Sequence, residues 1–494
     1  MTIKADHLTF AYRPRMPGNH PTPVLADCSL AVNTGATLAI MGRSGAGKST
    51  LGYVLSGLAP RHTGGTLSGT LSVAGVDVTE HPPKIGSVGL LFQDPTTQLF
   101  SVSAEEEIAW GLEALGVPPQ EIGSKVTEAL RCFGLAEARR RPPWALSGGQ
   151  QKRLALAAVW AMRPRILIMD EPLSGLDPQG RAEVSAAVET LREAGTTLIT
   201  MTLRPEVAKL AQEIHLLAAG KLSPLAGPAG LDRDELARLI EAGIFYPTER
   251  WPDLRSGTPA REAEPALEIK GLHFHYPDGT MVLRGIDLVI PTGQFVALMG
   301  RNGAGKSTLA RHLNGLLRPL SGSVRVLGKA IGDRPTGAIS RDVGFLFQRP
   351  EQQLFAATVR EELTYGPRRL GLSDTEARLR DVLVHFGLQD FADIPPALLD
   401  YGTQRAVTLA MLAMLHPPIV VLDEPTVGLD GRGLAQLLGW LAELRDAGTT
   451  IVLVTHERHV ASAADRVLHL EMGRIIADEF PSRLRPETHR IDEP

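Results

Sequence analysis

The sequence predicts an α/β protein with two similar domains, each built on a parallel β-sheet. Three observations support this prediction. A set of motifs occurs twice in the same order, short apolar runs lead into glycine-rich loops, and charged segments with helical periodicity separate the apolar runs. Strands that alternate with helices indicate a parallel sheet covered by helices. The 494 residues are enough for two domains that each bury a core of their own.

The duplication follows from matching residues at a nearly constant separation. The matched pairs are Lys48 and Lys306, Gln93 and Gln348, and Asp170 and Asp423. These pairs are 258, 255 and 253 residues apart. Several motifs in one order at one spacing indicate a duplicated domain. We expect a first domain over residues 1–222, a Pro/Gly-rich linker over 223–265 and a second domain over 266–494.

Short apolar runs predict the buried strands of each sheet, and the charged segments between them predict helices such as 181–193. One further short helix is expected inside the linker, at 232–242, where the spacing of Leu236, Leu239 and Ile240 places them on one face. The expected strands are 37–41, 165–169 and 197–201 in the first half, and 295–299, 419–422 and 450–454 in the second half.

Composition narrows the class of protein. Hydrophobic residues make up 43% and charged residues 21%, as in ordinary globular proteins. The net charge of −4 argues against a nucleic-acid-binding protein, which usually carries a basic excess or patch. Two cysteines are too few for a disulfide framework and fit a reducing cytosol. The N-terminus does not have the pattern of a signal peptide, and no run approaches the roughly 18 apolar residues of a membrane span.

The glycine-rich loops carry the phosphate-binding pattern Gly-x-x-x-x-Gly-Lys-Ser between a strand and a helix. Backbone N–H groups and the helix N-terminus would surround the phosphates. Lys48 and Lys306 are expected to reach the β- and γ-phosphates, and Ser49 and Ser307 to hold Mg²⁺. The predicted ATP-binding residues of the loops are Gly42, Ser44, Gly45, Gly47, Lys48, Ser49 and Thr50 in the first half, and Gly300, Asn302, Gly303, Gly305, Lys306, Ser307 and Thr308 in the second.

An Asp-Glu pair ends one apolar strand in each half. Asp170 and Asp423 suit a contact with Mg²⁺ or its water, and Glu171 and Glu424 suit a general base that polarises the attacking water. Such a pair often does no more than cap a helix. The phosphate-binding loops upstream favour the catalytic interpretation.

A further segment, Leu146-Ser147-Gly148-Gly149-Gln150, lies upstream of the first Asp-Glu pair. Its serine, Ser147, precedes Asp170 by 23 residues. Between a phosphate-binding loop and an Asp-Glu pair, this segment resembles the signature of ABC ATPases, and the resemblance covers essentially the whole chain. It implies, for each half, a RecA-like parallel-sheet core, an antiparallel β subdomain and a helical subdomain. It also implies ATP and Mg²⁺ as cofactors. In that family two domains face head to tail, and the signature of each closes over ATP held by the other.

The resemblance extends to further elements, matched residue by residue. Tyr12 and Tyr276 match the aromatic residue that stacks on adenine, although both could be ordinary strand tyrosines. Gln93 and Gln348 match the glutamine that contacts Mg²⁺ or water, and His456 matches the histidine that contacts the γ-phosphate. The segments called D-loops in the family match Ser174-Gly175-Leu176-Asp177 and Val427-Gly428-Leu429-Asp430.

The two halves differ at two of these elements. Asp400-Tyr401-Gly402-Thr403 stands opposite Ser147-Gly148-Gly149-Gln150, and Leu203 stands opposite His456. Asp400 can cap a helix, but its carboxylate would repel a triphosphate. With head-to-tail pairing, both defects fall in the site that contains Lys48. The other site combines Lys306, Ser307, Gln348, Asp423, Glu424 and His456 with the intact signature. The prediction is therefore one hydrolytic site and one slow site.

The pattern Gln-x-Pro-x-x-Gln-Leu-Phe, at 93–100 and 348–355, resembles the ATPases of energy-coupling factor (ECF) transporters. That resemblance implies an importer of a vitamin, vitamin precursor or transition-metal ion, with a transmembrane scaffold subunit and a small substrate-binding membrane subunit as partners. The chain would lie at the cytoplasmic face of the membrane, with Leu-Phe exposed toward the scaffold. The other interpretation of this segment is a loop of the helical subdomain with Leu-Phe buried. Two alternatives stay open. They are a tandem ATPase of a sugar-type importer and a cytosolic ABC ATPase that acts on ribosomes.

Overall fold

The computed structural model describes residues 1–13, 21–227, 231–254, 264–277, 279–332 and 334–481. The chain divides into two compact units, Met1–Phe245 and Tyr246–Pro494. The division lies within the predicted linker, whose boundaries at 222 and 265 stay a prediction. The first half has a Pro-rich segment between Tyr12 and Val24 that the second half lacks, and most of it lies outside the described residues.

The described residues of the first unit form two β-sheets. An antiparallel sheet has the order β2-β1-β4-β5, and a six-stranded sheet has the order β10-β9-β3-β8-β7-β6. All neighbours in the second sheet run parallel except β10, which is antiparallel to β9. The strands are β1 (Ile3–Ala11), β2 (Leu25–Val32), β3 (Thr37–Met41), β4 (Thr66–Val73), β5 (Val76–Asp77), β6 (Val88–Leu91), β7 (Ile166–Asp170), β8 (Thr197–Thr202), β9 (Glu213–Ala218) and β10 (Lys221–Ala226).

The helices of the first unit fall into two groups. Three of them, α2 to α4, pack on one another as a helical subdomain between β6 and β7, and the others accompany the parallel sheet or follow it. The helices are α1 (Lys48–Leu55), α2 (Ala104–Ala114), α3 (Pro119–Cys132), α4 (Gly148–Ala161), α5 (Pro178–Glu193), α6 (Pro205–Ala208) and α7 (Arg233–Glu241).

The second unit repeats this plan. Its antiparallel sheet has the order β12-β11-β14-β15, and its six-stranded sheet the order β16-β17-β18-β13-β19-β20, with only β20 antiparallel to its neighbour. The strands are β11 (Pro265–His275), β12 (Met281–Pro291), β13 (Phe295–Met299), β14 (Ser321–Val326), β15 (Lys329–Ala330), β16 (Val343–Leu346), β17 (Ile419–Asp423), β18 (Thr450–Val454), β19 (Arg466–Glu471) and β20 (Arg474–Glu479).

The helical subdomain of the second unit consists of α10 to α12, which pack on one another like α2 to α4. The helices of this unit are α8 (Lys306–Leu313), α9 (Thr336–Ile339), α10 (Val359–Leu370), α11 (Thr375–His385), α12 (Tyr401–Leu415), α13 (Gly431–Asp446) and α14 (Arg458–Ala461). Both units therefore have the predicted α/β fold with a parallel-sheet core, an antiparallel β subdomain and a helical subdomain.

The predicted strands agree with the observed ones within one residue at each end. β3, β7 and β8 are buried along almost their whole length, which explains why they consist mainly of apolar residues. The helix predicted at 181–193 begins earlier, at Pro178, because the Asp177 side chain accepts a hydrogen bond from Gly180 N at 2.8 Å and caps it. Proline suits the first helical position because its missing N–H has no partner there.

The described part of the predicted linker packs on both units. Helix α7, close to the predicted 232–242, begins at the cap Asp232 and buries Leu239 in the same cluster as Ala39 and Met41 of β3. Further along, Leu254 is buried in the core of the second unit. The described linker residues therefore contribute to the two cores as well as joining them.

Candidate functional site

The phosphate-binding loops follow β3 and β13, the strands around which each parallel sheet is built. Lys48 Nζ donates hydrogen bonds to the carbonyls of Gly42 at 2.7 Å and Arg43 at 3.0 Å. Lys306 makes the same bonds to Gly300 and Arg301, at 2.7 and 3.0 Å. Both ammonium groups thus lie inside their loops, where their charge would meet a bound phosphate. The sequence-predicted loop residues come together in both units.

Each loop turns into its helix through a glycine in the left-handed region. Gly47 has φ 98° and Gly305 has φ 102°. A Cβ on Gly47 would lie 3.0 Å from Val24 Cγ1, so the position has neither the conformation nor the space for a side chain. Lys48 and Lys306 begin α1 and α8, which places the positive helix end at the loop.

Ser49 and Asp170 meet at the carboxyl edge of the first sheet, where Ser49 Oγ donates a hydrogen bond to Asp170 Oδ2. Burial raises the pKa of Asp170, and the hydroxyl of Ser49 opposes that shift. In the second unit, burial raises the pKa of Asp423 to about 6, with a hydrogen bond from Ser307 acting against it. Among the described residues, Asp423 Oδ1 is buried without a hydrogen-bond partner. A hydroxyl beside a carboxylate with a free oxygen fits a hard cation such as Mg²⁺.

The glutamates that follow these strands adopt an uncommon backbone conformation. Glu171 has φ 48° and Glu424 has φ 49°. Both lie in the left-handed region, which residues other than Gly, Asn and Asp rarely adopt. Their N–H groups donate to Met201 O and Val454 O, each at 2.9 Å. Such strain persists only where the surroundings impose it, and it concentrates at functional sites. The sequence gives no direct sign of this conformation.

The two glutamates have different partners. Glu424 Oε1 lies 2.9 Å from His456 Nδ1, and both side chains are buried. Glu424 Oε2 has no hydrogen-bond partner among the described residues. In the first unit Glu171 Oε1 instead accepts a hydrogen bond from Leu203 N at 2.6 Å, and burial raises the pKa of Glu171. The predicted departure at Leu203 is therefore visible in the geometry, because a backbone amide replaces the imidazole.

His456→Leu is expected to lower ATP turnover about tenfold, because losing one hydrogen bond to a buried carboxylate costs about 1.4 kcal/mol. The substitution copies the residue of the first unit, so its size is tolerated in this fold. The measurement is steady-state release of phosphate from ATP. The reciprocal variant Leu203→His is expected to change turnover less than twofold, and equal losses in the two variants would contradict the assignment of His456.

The signature segment forms the start of α4. Ser147 Oγ accepts a hydrogen bond from Gln150 N at 3.3 Å, and Gln150 Oε1 accepts one from Ser147 N at 3.1 Å. This reciprocal cap leaves Gly148 and Gly149 in the first turn, with their N–H groups at the positive helix end. In the second unit Asp400 caps α12 and accepts from Gly402 N and Thr403 N at 3.0 and 3.2 Å. Both predicted caps are present.

Gln93 and Gln348 lie just beyond β6 and β16, at the sheet edge that also holds the Asp-Glu pairs. The second glutamine of each pattern has a role that the sequence did not indicate. Gln98 accepts from Phe92 N at 3.3 Å and donates to Leu90 O at 3.1 Å, and Gln353 makes the equivalent pair of bonds at 2.9 Å each. These side chains fasten the loop to the strand that it leaves.

The expectation that both Leu and Phe are exposed at the end of the pattern is wrong for leucine. Leu99 and Leu354 pack against the cores of the helical subdomains. Phe100 and Phe355 are 61% and 64% exposed. Each helical subdomain therefore takes up the leucine of the pattern and leaves the phenylalanine exposed.

Each exposed phenylalanine is held in place by residues that sequence reasoning missed. Phe100 packs edge-on against Trp110 with ring centroids 5.0 Å apart, and Phe355 packs in the same way against Tyr365 at 4.9 Å. Buried Glu362 accepts from Phe355 N at 2.8 Å, as Glu107 does from Phe100 N at 3.0 Å. The signal available in the sequence was the repetition of these partners at the spacing of the glutamines.

Tyr12 and Tyr276 follow β1 and β11 directly. Each phenol oxygen lies 3.2 Å from a threonine hydroxyl of the phosphate-binding loop, Thr50 and Thr308 respectively. The rings pack edge-on against Phe10 and Phe274. The structure thus brings both tyrosines to the loops, while stacking on adenine stays a prediction.

In the part of the chain that is described, no helix has the length and apolar character to cross a membrane.

Comparison with known proteins identifies the family. The ABC transporter family matches residues 25–174 and 283–427, once in each unit. A relative from Caldanaerobacter subterraneus subsp. tengcongensis, described by its name as a candidate ABC transporter ATP-binding protein, is 35% identical over 96% of this chain and 90% of its own length. A relative of the same description from Methanosarcina mazei is 32% identical over 96% and 88%.

Among solved structures, the chain is similar to cbiO1 from Clostridium perfringens, described as part of the ABC transporter complex cbiONQ. The identity is 32%, the match covers 44% of this chain and 89% of the other, and the TM-score is 0.40. The family match and the near full-length relatives settle the question of family. The chain belongs to the ABC transporter family, as an ATP-binding ATPase with two such domains in one polypeptide.

Proposed function

We propose that this protein is the ATP-hydrolysing, energy-coupling subunit of a membrane importer for a micronutrient, namely a vitamin, a vitamin precursor or a transition-metal ion. Its partners would be a transmembrane scaffold subunit and a small substrate-binding membrane subunit. The chain would act from the cytoplasmic face of the membrane as a peripheral subunit. Import, rather than export, follows from the resemblance to energy-coupling factor ATPases.

The observation that carries this proposal is the twice-repeated segment Gln-x-Pro-x-x-Gln-Leu-Phe with its exposed aromatic pair. Phe100 with Trp110, and Phe355 with Tyr365, form one such pair in each unit, and Trp110 is 57% exposed. Exposed aromatic residues with polar neighbours are typical of protein interfaces. The phenylalanine of each pair follows the glutamine at the ATP-site edge by seven residues, so a partner seated there would be linked to that edge through a short segment.

We further propose that the two ATP sites are unequal. The second unit combines Lys306, Asp423, Glu424 and His456, and the first unit supplies the intact signature at Ser147. Head-to-tail pairing would unite these residues in one complete site. The other site would contain Leu203, whose side chain cannot form a hydrogen bond, and Asp400, whose carboxylate would repel a triphosphate. We expect this second site to bind ATP and to turn it over slowly.

Mg²⁺ would be held by Ser49 and Asp170 in one site and by Ser307 and Asp423 in the other, with Gln93 and Gln348 beside them. When bound, it would neutralise part of the phosphate charge. The residues of the chain do the rest. Lys306 binds the phosphates, Glu424 accepts a proton from the attacking water, and His456 holds Glu424 Oε1 so that Oε2 faces the reaction. ATP would drive the cycle only if it binds more tightly when the two units are closed on it.

Co-purification from native membranes tests the proposal. The tagged chain is isolated in mild detergent, and the accompanying proteins are identified by mass spectrometry. A scaffold membrane protein with a small, very hydrophobic one is the expected result. A permease pair with an extracytoplasmic binding protein would instead indicate a sugar-type importer. Ribosomes without a membrane protein would indicate the cytosolic alternative and overturn the transport proposal.

The exposed aromatic pairs provide a sharper version of this test. The double variant Phe100→Ser and Phe355→Ser is expected to lower recovery of the scaffold protein about tenfold or more, because buried interface aromatics each contribute about 2 kcal/mol. Leu210→Ser with Ile476→Ser is the control, since these side chains are 70% and 61% exposed elsewhere in the two units. Unchanged recovery in the phenylalanine variant, with an unchanged melting temperature, would refute the assigned docking surface.

A further inference from the structure

We propose that the replaced signature of the second unit has acquired a new task, in which Tyr401 and Arg405 position Gln348 for the complete ATP site. We call these two residues the clamp. The inference rests on the proposed role of the second unit as the hydrolytic one. It adds that the second signature segment, which lacks the residues for closing over ATP, serves the ATP site of its own unit.

Arg405 is the buried half of the clamp. Its side chain is fully buried in α12, and its guanidinium donates to Phe347 O at 2.6 Å and also to Gln348 O. The Nε of this guanidinium has no hydrogen-bond partner among the described residues. A buried cation that relies on two backbone carbonyls would lose much of its compensation if those carbonyls moved. Arg405 therefore holds the peptide planes before and after Gln348.

Tyr401 is the second half of the clamp and links three segments. Its hydroxyl donates to Gln348 O at 3.2 Å, and it also accepts from Arg405 at 3.1 Å. Its ring lies against the D-loop, because a Cβ on Gly428 would be 2.4 Å from two ring carbons. The start of α12, the glutamine segment and the D-loop thus meet at one side chain.

The first unit provides an internal comparison. Gly148 and Lys152 stand at the positions of Tyr401 and Arg405. Buried Lys152 donates to Glu171 O and, at 3.1 Å, to Ser174 O, so α4 is fastened to the loop after the Asp-Glu pair. A Cβ on Gly175 would meet nothing within 4 Å. The two equivalent helices are therefore attached to different segments. In the second unit α12 is attached to the glutamine segment, and in the first unit α4 is attached to the loop after the Asp-Glu pair.

This difference has a functional consequence because Gln348 is itself exposed and its side chain depends on its backbone for direction. Two donors on one carbonyl hold the peptide plane after Gln348, and Arg405 also holds the plane before it. Pre-organised groups contribute to the transition state without the cost of reordering. The clamp therefore acts on turnover through Gln348, while ATP binding to the phosphate loop depends on other residues.

Tyr401→Phe is the first test, because it removes one hydroxyl and keeps the ring against Gly428. We expect kcat for ATP to fall about tenfold, a factor that corresponds to about 1.4 kcal/mol, with KM changed less than twofold. Amide hydrogen exchange at residues 347–350 is expected to accelerate at the same time. Arg405→Lys, which loses the guanidinium fork, is expected to show the same pattern more strongly. Tyr246→Phe is the matched control, since it removes a phenol bond to the Arg250 carbonyl in the same unit.

A double-mutant cycle separates positioning from a purely structural role. If Tyr401 acts through Gln348, the double variant with Gln348→Ala loses no more kcat than Gln348→Ala alone. Additive losses, or an unchanged kcat in both clamp variants, would overturn the inference. These measurements use the purified full chain with ATP. A failed search for membrane partners would therefore refute the proposed transport function without affecting this result.

Discussion

Glu424→Gln is expected to lower ATP turnover about 1,000-fold, the middle of the range for losing a general base. Among the described residues, Glu424 Oε2 is buried without a hydrogen-bond partner, and Oε1 is already engaged by His456. An amide has nearly the same shape and can keep the contact with His456, so the strained backbone at this position should persist. What the amide lacks is an oxygen able to accept the proton. Single-turnover release of phosphate measures the effect without interference from ADP release.

Glu171→Gln is the matched comparison, because Glu171 follows an equivalent strand with an equivalent φ. Its oxygens already bond Leu203 N and, more weakly, Thr202 Oγ1 at 3.4 Å. We expect this variant to keep more than half of the turnover. Similar losses in the two variants would show two hydrolytic sites and would end the proposal that the sites are unequal.

Ser147→Asp is expected to lower turnover about 100-fold. The variant copies Asp400, which caps α12 well, so the N-terminus of α4 should stay capped. A carboxylate close to the γ-phosphate adds a like charge in a partly dry site, where an interaction of about 3 kcal/mol is reasonable. Binding of a non-hydrolysable ATP analogue and the melting temperature should be measured alongside turnover. The analogue is expected to bind more weakly at one of the two sites, while the melting temperature stays the same.

Asp400→Ser is the reciprocal variant and tests the head-to-tail pairing. Serine also caps helices, so α12 should be retained. If Ser147 serves the complete site and Asp400 the slow one, only the first substitution removes turnover, and Asp400→Ser changes it less than twofold. A strong loss from Asp400→Ser combined with a weak one from Ser147→Asp would reverse the assignment of signatures to sites.

The parallel sheets, the phosphate loops and the capped signature helices could be predicted from sequence because each depends on local patterns. Buried strands such as β3 are largely apolar, the loop glycines are required by backbone geometry, and Ser147 is followed three residues later by Gln150. The observed ends of these strands differ from the predicted ends by at most one residue. Helix α5 begins three residues earlier than predicted, because the Asp177 side chain caps it.

The remaining features depend on contacts between side chains that are distant in sequence. Hydrophobic periodicity within a segment does not indicate such contacts. Leu99 and Phe100 are neighbours of similar hydrophobicity, and only the packing of the helical subdomain decides which one lies against its core. The contact between Glu424 and His456 joins residues 32 positions apart at the ends of neighbouring strands. The bonds of Arg405 to Phe347 and Gln348 could not be anticipated, because an arginine inside a helix normally indicates a solvated face.

Because the Tyr401 ring packs against Gly428, the second unit depends on the residue that replaces the signature glycine. Placing Ser-Gly-Gly-Gln at 400–403 would remove the aromatic ring that packs against Gly428 and would take a donor from the Gln348 carbonyl. Arg405 would keep its charge with fewer neighbours. We therefore expect that a restored signature alone would give a less stable unit, and that recovery of a second fast site would need coordinated changes at Arg405 and Leu203. Two domains fused in one chain can accumulate substitutions that affect one domain alone, because a change in one half is not copied into the other. In a symmetric homodimer every substitution occurs in both subunits.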